Sequence, residues 1–326
     1  MSAQLRLQAS RRGVLGGCVL LPALCPAIAV AADCSPIFDA HIHFFTNDIA
    51  RYPIDPRGAR EPEEVMRARV LRDPVLPDAT LRLWDRLGVS AGVGVQYRGA
   101  YKYDNSYVLD VADANPQRVL TEILLSDEDE QAPKRLRELA RARRVTAVRL
   151  TGFEDEEGLY PWMTSPGAHH IWQAAQELGL PVCLTCLPQR PMPGLLRTVG
   201  ALAERYSNCV IVLEHLGWTG GRDTGDGLLA EHFALRHLPN LYFKWTTLNI
   251  DDLGKAGIPV PDFLEAAVRT FGPGKLMWGS DFGNSTRPYE GLVAEARNAC
   301  RSLTSTERLM VLGDTGRAVF ISGVQV

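Results

Sequence analysis

The sequence lacks the charge pattern of a nucleic-acid-binding protein. Its 326 residues carry 35 Lys and Arg against 38 Asp and Glu, for a formal net charge of −3. No basic block interleaved with aromatic residues interrupts this balance, so we expect no nucleic-acid partner. Low complexity is absent too, since 21 Pro and 29 Gly are scattered along the chain. With 46% hydrophobic residues, the chain can form a sizeable core, which excludes a disordered, fibrous or coiled-coil protein.

Cysteine is sparse and irregularly spaced. The chain has seven Cys, and those beyond residue 32 are Cys34, Cys183, Cys186, Cys209 and Cys300. An odd number without regular spacing does not indicate a disulfide framework. Cys183-x-x-Cys186 falls on a predicted strand, so we interpret the pair as buried structural thiols, a redox or metal role being the alternative.

An export signal is predicted in residues 1–32. Arg6, Arg11 and Arg12 precede an apolar run that Gly and Pro interrupt, and small residues around Ala31 suit a signal peptidase. The Arg11-Arg12 pair resembles a twin-arginine signal. The run falls short of the about 20 uninterrupted apolar residues of a membrane span. We therefore expect no stable membrane anchor after cleavage, a periplasmic location, and one domain over residues 33–326; the oligomeric state is left open.

From residue 37 onward, short apolar runs alternate with amphipathic stretches. Strands are predicted at Ile37–Ala40, Ala91–Val95, Val119–Leu124, Val145–Leu150, Pro181–Leu184, Val210–Leu213, Leu241–Phe243 and Leu276–Trp278. Helices are predicted at 79–87, 105–114, 128–143, 169–178, 195–206, 262–271 and 289–300, with a weaker candidate at 227–238 and a long loop at 44–77. This pattern predicts an α/β protein with a single (β/α)8 TIM-like barrel, of regular or distorted shape. No Gly-rich dinucleotide fingerprint supports the alternative, an open doubly wound sheet.

Four polar side chains stand at the ends of predicted strands. His41 and His43 close the first strand and, being two residues apart, project from one face. His215 follows the sixth strand, and Asp281 follows the eighth. Because TIM barrels carry their functional residues at the carboxyl ends of the strands, we expect these side chains to meet around one pocket. His41, His43 and Asp281, with His215 as an additional candidate, suit one divalent ion, with Zn²⁺ preferred; metal-free catalysis is the alternative.

The whole set resembles the amidohydrolase superfamily, in the amidohydrolase-related branch that includes 2-pyrone-4,6-dicarboxylate lactonase, muconolactone-type (including sulfomuconolactone) hydrolases and some decarboxylases. The motifs that carry the resemblance are Asp39-x-His41-x-His43, Glu214-His215-x-Gly217, Trp278-Gly279-Ser280-Asp281 and the closing segment Leu312–Phe320.

Two positions depart from the pattern of the metal-dependent members. Thr185 stands where they carry a histidine at the end of the fifth strand. Arg149 stands where binuclear members carry a lysine on the fourth strand. The resemblance therefore implies no binuclear site and favours a lactonase, since the lactonase branch also lacks the fifth-strand histidine and some of its members work without metal.

The resemblance and the charges together predict a hydrolase for a small acidic lactone, of the pyrone-dicarboxylate or substituted or sulfonated muconolactone type. Asp281 is the predicted general base, and His215 would bind the carbonyl oxygen or the water. Substrate contacts are predicted from Arg149, Tyr97, Arg98, Lys102, Arg222 and Trp218. For Arg149 the alternative is a buried ion pair with Asp39 or Glu214. Two other functions remain open: a metal-dependent non-oxidative decarboxylase on the same scaffold, and an exported non-catalytic binding barrel.

Overall fold

Eight parallel strands form a nearly closed barrel in the order β1 to β8. The computed structural model describes residues 36–187, 190, 192–219 and 225–321, so the predicted export signal, Cys34 and Arg222 lie outside the described residues. The strands are β1 Ile37–Ile42, β2 Val89–Val95, β3 Val119–Leu124, β4 Ala147–Phe153, β5 Val182–Leu187, β6 Ile211–Leu213, β7 Leu241–Thr246 and β8 Leu276–Gly279. The predicted barrel is confirmed.

The end of β8 meets the end of β1. The backbone N–H of Asp281 donates to the carbonyl of His41 at 2.8 Å, and the N–H of His43 donates to the carbonyl of Phe282 at 2.9 Å. The Asp39 carboxylate also joins the two strands, because its Oδ1 accepts from the backbone of Ser280 at 2.8 Å. These bonds bring residues from opposite ends of the sequence to one rim.

Helices surround the barrel between the strands. They are α1 Glu63–Arg72, α2 Pro77–Leu87, α3 Arg98–Tyr101, α4 Ser106–Ala114, α5 Ala132–Ala142, α6 Pro161–Thr164, α7 Pro166–Leu178, α8 Pro193–Arg205, α9 Ala230–Leu235, α10 Thr247–Ala256, α11 Val260–Phe271, α12 Tyr289–Ala299, α13 Ser305–Leu309 and α14 Thr315–Ile321. A π-helical turn, Met310–Asp314, precedes α14. In the described part of the chain, no helix has the length and hydrophobicity to cross a membrane.

Helix α1 corrects the prediction of a continuous loop at 44–77. It buries only Met66 and Val70 among charged neighbours, so its hydrophobic periodicity is weak and gave no helical signal. Helix α10 was not predicted either. Helix α10 begins directly after β7, and its Leu248 lines the cavity described below.

An inner hydrophobic cluster fills the lower part of the barrel. It includes Phe38, Leu120, Met277 and Phe320, and the rings of Phe38 and Phe320 stack with their centroids 6.5 Å apart. Helix α14, which carries Phe320, therefore covers the amino-terminal end of the barrel. The cavity described below lies at the opposite, carboxyl end.

The end of β1 is irregular, and this irregularity aims two histidines into the barrel. Phe38 and Ala40 belong to the inner cluster, and the pairing of β1 with β2 shifts register between Asp39 and Ile42. Such a shift turns the following side chains to a new face. The approach to β8 is close as well, since a Cβ added to Gly279 would lie 2.4 Å from the Cβ of His41. A glycine at position 279 therefore makes room for His41.

Candidate metal and catalytic site

The two histidines of β1 and Asp281 face one another inside the barrel. The Nε2 atoms of His41 and His43 are 3.2 Å apart. Asp281 Oδ1 lies 3.6 Å from the first and 3.2 Å from the second. All three side chains are buried. The structure therefore brings together the three predicted metal ligands, and they form a group able to bind a metal ion.

Oxygen atoms behind the imidazoles decide which nitrogen atoms face this group. His43 Nδ1 lies 2.9 Å from the carbonyl oxygen of Val95, so Nδ1 carries the proton and Nε2 keeps its lone pair. His41 Nδ1 lies 3.0 Å from Glu214 Oε1, which favours the same tautomer. Two lone pairs 3.2 Å apart and beside a carboxylate repel one another unless a cation lies between them. The donor set thus fits one divalent ion with nitrogen and oxygen ligands.

His215 reaches the site from a left-handed turn. Its φ is 51° and that of Leu216 is 50°, a conformation that is costly for residues other than glycine. Side chains hold the turn in place: His215 Nδ1 lies 2.7 Å from Thr246 Oγ1, and Asn249 donates to the carbonyl of His215 at 2.8 Å. The indole of Trp218 stacks on the imidazole at 4.7 Å. Burial lowers the pKa of His215 to about 4, so the ring is neutral at pH 7.

Asp281 is also held in a left-handed conformation, with φ 53°. Its Oδ2 accepts a hydrogen bond from Asn284 Nδ2 at 2.7 Å. The Tyr97 hydroxyl in turn donates a hydrogen bond to Asn284 Oδ1 at 3.0 Å. Burial alone would raise the pKa of Asp281, but the close contact with His43 and the neighbouring imidazoles hold it well below its usual range. The carboxylate is therefore ionised. Sequence reasoning missed Asn284, whose only signal is its place three residues after Asp281.

A second buried cluster of charges lies directly behind His41. Arg149 Nε is 2.7 Å from Glu214 Oε2 and 3.6 Å from Glu122 Oε1. Lys244 Nζ is 2.6 Å from Glu122 Oε2 and 2.9 Å from Glu214 Oε1. Thr185 donates from its hydroxyl to Glu214 and accepts from Arg149. Two cations and two carboxylates thus neutralise one another inside the barrel.

This cluster shows which partner Arg149 has, and it contains a residue that the sequence analysis missed. The ion pair considered for Arg149 is present with Glu214, whereas Asp39 instead accepts hydrogen bonds from Ser280 and Tyr289. Glu122 was not recognised as a site residue. Its signal was an acid on the same face of strand β3 as two leucines. Burial and the nearby Glu214 raise the pKa of Glu122 to about 7, against the lowering effect of Lys244 and Arg149.

A cavity of about 320 Å³ opens above these groups at the carboxyl end of the barrel. The predicted site residues that line it are His43, Tyr97, Arg98, Arg149, His215, Trp218 and Asp281. Arg60 and Glu61, between β1 and α1, line it too and were not predicted. Lys102 does not line it, because its ammonium group donates to the carbonyl of Arg57. For Lys102 the predicted substrate contact is therefore not supported by its position, and Arg222 lies outside the described residues.

The cysteines of the described residues do not line the cavity. Cys183, Cys186, Cys209 and Cys300 are buried and free. Burial raises the pKa of Cys183 well above its usual value and that of Cys186 to about 12, so both stay protonated and unreactive. The interpretation of the Cys183-x-x-Cys186 pair as buried thiols agrees with this placement.

Known structures share this architecture. A candidate 2-pyrone-4,6-dicarboxylic acid hydrolase from Pseudomonas putida has a TM-score of 0.67 and 24% identity, over 89% of this chain and 99% of its own. An amidohydrolase from Burkholderia multivorans with bound zinc has a TM-score of 0.65 and 22% identity, over 88% and 99%. A dihydroxybenzoic acid decarboxylase from Polaromonas, with bound manganese and the inhibitor 2-nitroresorcinol, has a TM-score of 0.60 and 14% identity, over 89% and 98%.

These likenesses establish the fold, and the family follows from the sequence itself. A search of curated proteins finds no match. The model of the amidohydrolase family, however, matches residues 38–320, from the second residue of β1 into α14. The match includes all three residues of the candidate metal group. The chain belongs to the amidohydrolase family.

Proposed function

We propose that the protein hydrolyses the ester bond of a small acidic lactone. The observation that carries the proposal is the position of Asp281, whose carboxylate faces two imidazole nitrogen atoms at the base of the cavity. Arginines in the cavity wall support an acidic substrate. A hydrolase of this kind is also among the proteins of similar fold.

Lactone opening needs a deprotonated water, a polarised carbonyl and a proton for the leaving oxygen. Asp281 would take a proton from the water as its oxygen bonds to the carbonyl carbon. It would return that proton to the ring oxygen as the ring C–O bond breaks. In the tautomer in which Thr246 donates to Nδ1 of His215, the Nε2–H of His215 can donate to the carbonyl oxygen.

A bound metal ion would be held by His41, His43 and Asp281. Such an ion supplies Lewis-acid polarisation and lowers the pKa of a bound water to about 7. We propose zinc because the ligand set is two imidazoles and a carboxylate. The residues of the chain keep their roles in binding, in orientation and in moving the proton.

The test is the substitution Asp281→Asn, assayed on a panel of pyrone and muconolactone acids. Loss of the base should lower kcat by about 10³-fold. Glu130→Gln is the matched control, because Glu130 is exposed and does not line the cavity. This variant should retain full activity. Full hydrolysis by the Asp281→Asn variant would exclude the proposal.

The second candidate is a metal-dependent decarboxylase. It is favoured by the metal-capable group and by the similar fold of the manganese-bound decarboxylase. Against it stands Thr185, in place of the histidine that such enzymes use according to the family resemblance. Release of CO₂ from dihydroxybenzoates, abolished by a chelator and restored by one metal equivalent, would favour this candidate. Ligand binding without turnover on either panel would favour the binding barrel instead.

Export to the periplasm is a separate proposal, which depends on residues 1–32 alone. The twin-arginine pair and the small residues near Ala31 support it. Cell fractionation with an Arg11→Lys, Arg12→Lys variant tests it, since export should fail in the variant only. Recovery of the unprocessed wild-type chain from washed membranes would contradict it.

A further inference from the structure

We infer that the natural substrate carries one carboxylate and one apolar substituent, rather than two carboxylates. The inference rests on the proposed lactone hydrolysis and narrows its substrate class. It follows from how charge and apolar surface are distributed around the cavity.

Most of the arginine charge in the cavity wall is already compensated. Arg149 is paired with Glu214 at 2.7 Å, and Arg60 is paired with Glu61 at 2.8 Å. A guanidinium that is engaged by a carboxylate has little charge left to offer a second anion. Among the described residues that line the cavity, Arg98 is the cation without a carboxylate partner. Within the described part of the chain, one free guanidinium matches one substrate carboxylate.

The free cation lies in a polar sector of the rim. Tyr97 and Arg98 follow β2, and Arg60 and Glu61 lie between β1 and α1. The guanidinium of Arg98 lies 5.9 Å from the ring centroid of Tyr103, which holds it at the edge of the cavity. These four residues form a polar sector of the rim after the first two strands.

An apolar sector lies at the ends of β4 and β5 and after β6 and β7, beyond Arg149, Thr151 and Thr185, which line the cavity from earlier positions in β4 and β5. Phe153 and Leu187 end β4 and β5, while Trp218 and Leu248 follow β6 and β7, and all four line the cavity. The indole N–H of Trp218 is bonded to the carbonyl of Cys186 at 2.7 Å, so its only polar atom is already satisfied. Phe153 is 55% exposed. An exposed aromatic ring at the mouth of a cavity is best explained by an apolar group of the ligand that covers it.

The reacting centre lies between the two sectors. Asp281 and His43 stand at the ends of β8 and β1, next to the polar sector, and His215 stands beside Trp218 in the apolar sector. A lactone whose carbonyl oxygen accepts from His215, with the attacking water beside Asp281, would direct its carboxylate toward Arg98 and its other substituent toward Phe153. A second carboxylate in that place would lose its hydration against apolar side chains.

Two matched pyrones test this directly: 2-pyrone-4,6-dicarboxylate and 6-propyl-2-pyrone-4-carboxylate. We expect kcat/KM to be about 10-fold higher for the propyl compound, because burial of several methylenes favours it. Phe153→Ser should remove this preference by lowering kcat/KM for the propyl compound. Arg98→Gln should raise KM for both compounds. Arg67→Gln, at an exposed arginine of α1, is the control and should change neither.

The outcomes separate this inference from the proposed function. Preference for the dicarboxylate, or a preference that survives Phe153→Ser, would overturn the inference while hydrolysis still stands. If neither pyrone is hydrolysed, the proposed function fails, and the unconsumed compounds can be titrated calorimetrically into the unmodified protein. Tighter binding of the propyl compound that depends on Phe153 would support the inference. Tighter binding of the dicarboxylate, or no binding of either, would overturn it.

Discussion

Two layers of polar residues lie on top of each other inside the barrel, and they differ in how their charges are balanced. The lower layer consists of Glu122, Arg149, Glu214 and Lys244, and the upper layer of His41, His43, His215 and Asp281. In the lower layer each carboxylate contacts both cations. In the upper layer one ionised carboxylate faces imidazoles, and burial lowers the pKa of His41 and His215. The two layers are equally buried but act differently. The compensated charges of the lower layer stabilise the barrel, whereas the uncompensated carboxylate of the upper layer attracts a cation.

The largest effect is expected in the lower layer, where Lys244→Met tests whether compensated charge stabilises the barrel. Removal of the ammonium leaves Glu122 and Glu214 together in a buried site with only Arg149 to compensate them. We expect the free energy of unfolding to fall by about 3–5 kcal/mol, measured by urea denaturation. Lys255→Met is the control, since the Lys255 side chain is 75% exposed, and it should change stability by less than about 0.5 kcal/mol. Equal losses in the two variants would contradict the role given to the lower layer.

The upper layer should respond to metal instead. Because the ligands converge only in the folded chain, zinc should stabilise the protein by about 4 kcal/mol when free zinc is a thousand times Kd. A rise in Tm that a chelator reverses, with one equivalent of zinc in the purified protein, measures this effect. His43→Asn should abolish it. The same rise in the His43→Asn variant would place the ion elsewhere.

His232 provides a pH test that depends on neither layer. It is buried, with Nδ1 accepting from the backbone of Leu229 at 2.9 Å and Nε2 2.8 Å from the carbonyl oxygen of Leu216. Burial lowers its pKa from 6.5 to about 4. Between pH 6.5 and 4 the unfolded chain binds a proton that the folded chain does not, so the free energy of unfolding decreases as pH falls, by about 3 kcal/mol in all.

The measurement is urea denaturation of the wild type and of His232→Gln across this range of pH. The variant should be less stable at pH 7, and its stability should depend on pH with a slope smaller by up to one proton. Parallel slopes for the two proteins would show that His232 is charged in the folded state. His237→Gln, at an exposed histidine, is the control and should follow the wild type.

The smallest effect is expected from Asn284, which supports the upper layer from outside. Asn284→Ala removes the hydrogen bond to Asp281 Oδ2, so we expect kcat to fall about 10-fold as the base becomes misoriented, with KM nearly unchanged. Tyr97→Phe removes the next hydroxyl outward and should cost less, although KM can also change because Tyr97 lines the cavity. A fall in stability without a change in kcat would reduce Asn284 to a structural role.

The sequence alone predicted most of the upper layer, whereas in the lower layer it offered only the Arg149–Glu214 ion pair, as an alternative. His41, His43 and Asp281 were found because they follow apolar strands at a spacing that fixes their face. Glu122 and Lys244 are recognisable as part of a site only as an ion pair, and the two residues are 122 positions apart in the chain. Such a pair cannot be found from sequence patterns, because a single charged residue changes the apolar pattern of its strand only slightly.

Loops were the other limit of prediction. The left-handed turn at His215 and Leu216 has no local sequence signal before Gly217. Histidine and leucine rarely adopt positive φ, so these residue types do not predict such a turn. The same limit applies to Lys102, whose side chain does not line the cavity, and to Arg60, which was not predicted. Lys102 lies between α3 and α4 and Arg60 between β1 and α1, in segments where one hydrogen bond or ion pair decides which way a long side chain points.

The ring stack of Phe38 on Phe320 closes the barrel from below, and this has a kinetic consequence. Reactant and product must use the same entrance, so a ring-opened acid that lingers there blocks the next turnover. We expect the hydrolysis product to act as a competitive inhibitor, with progress curves that bend well before the substrate is exhausted.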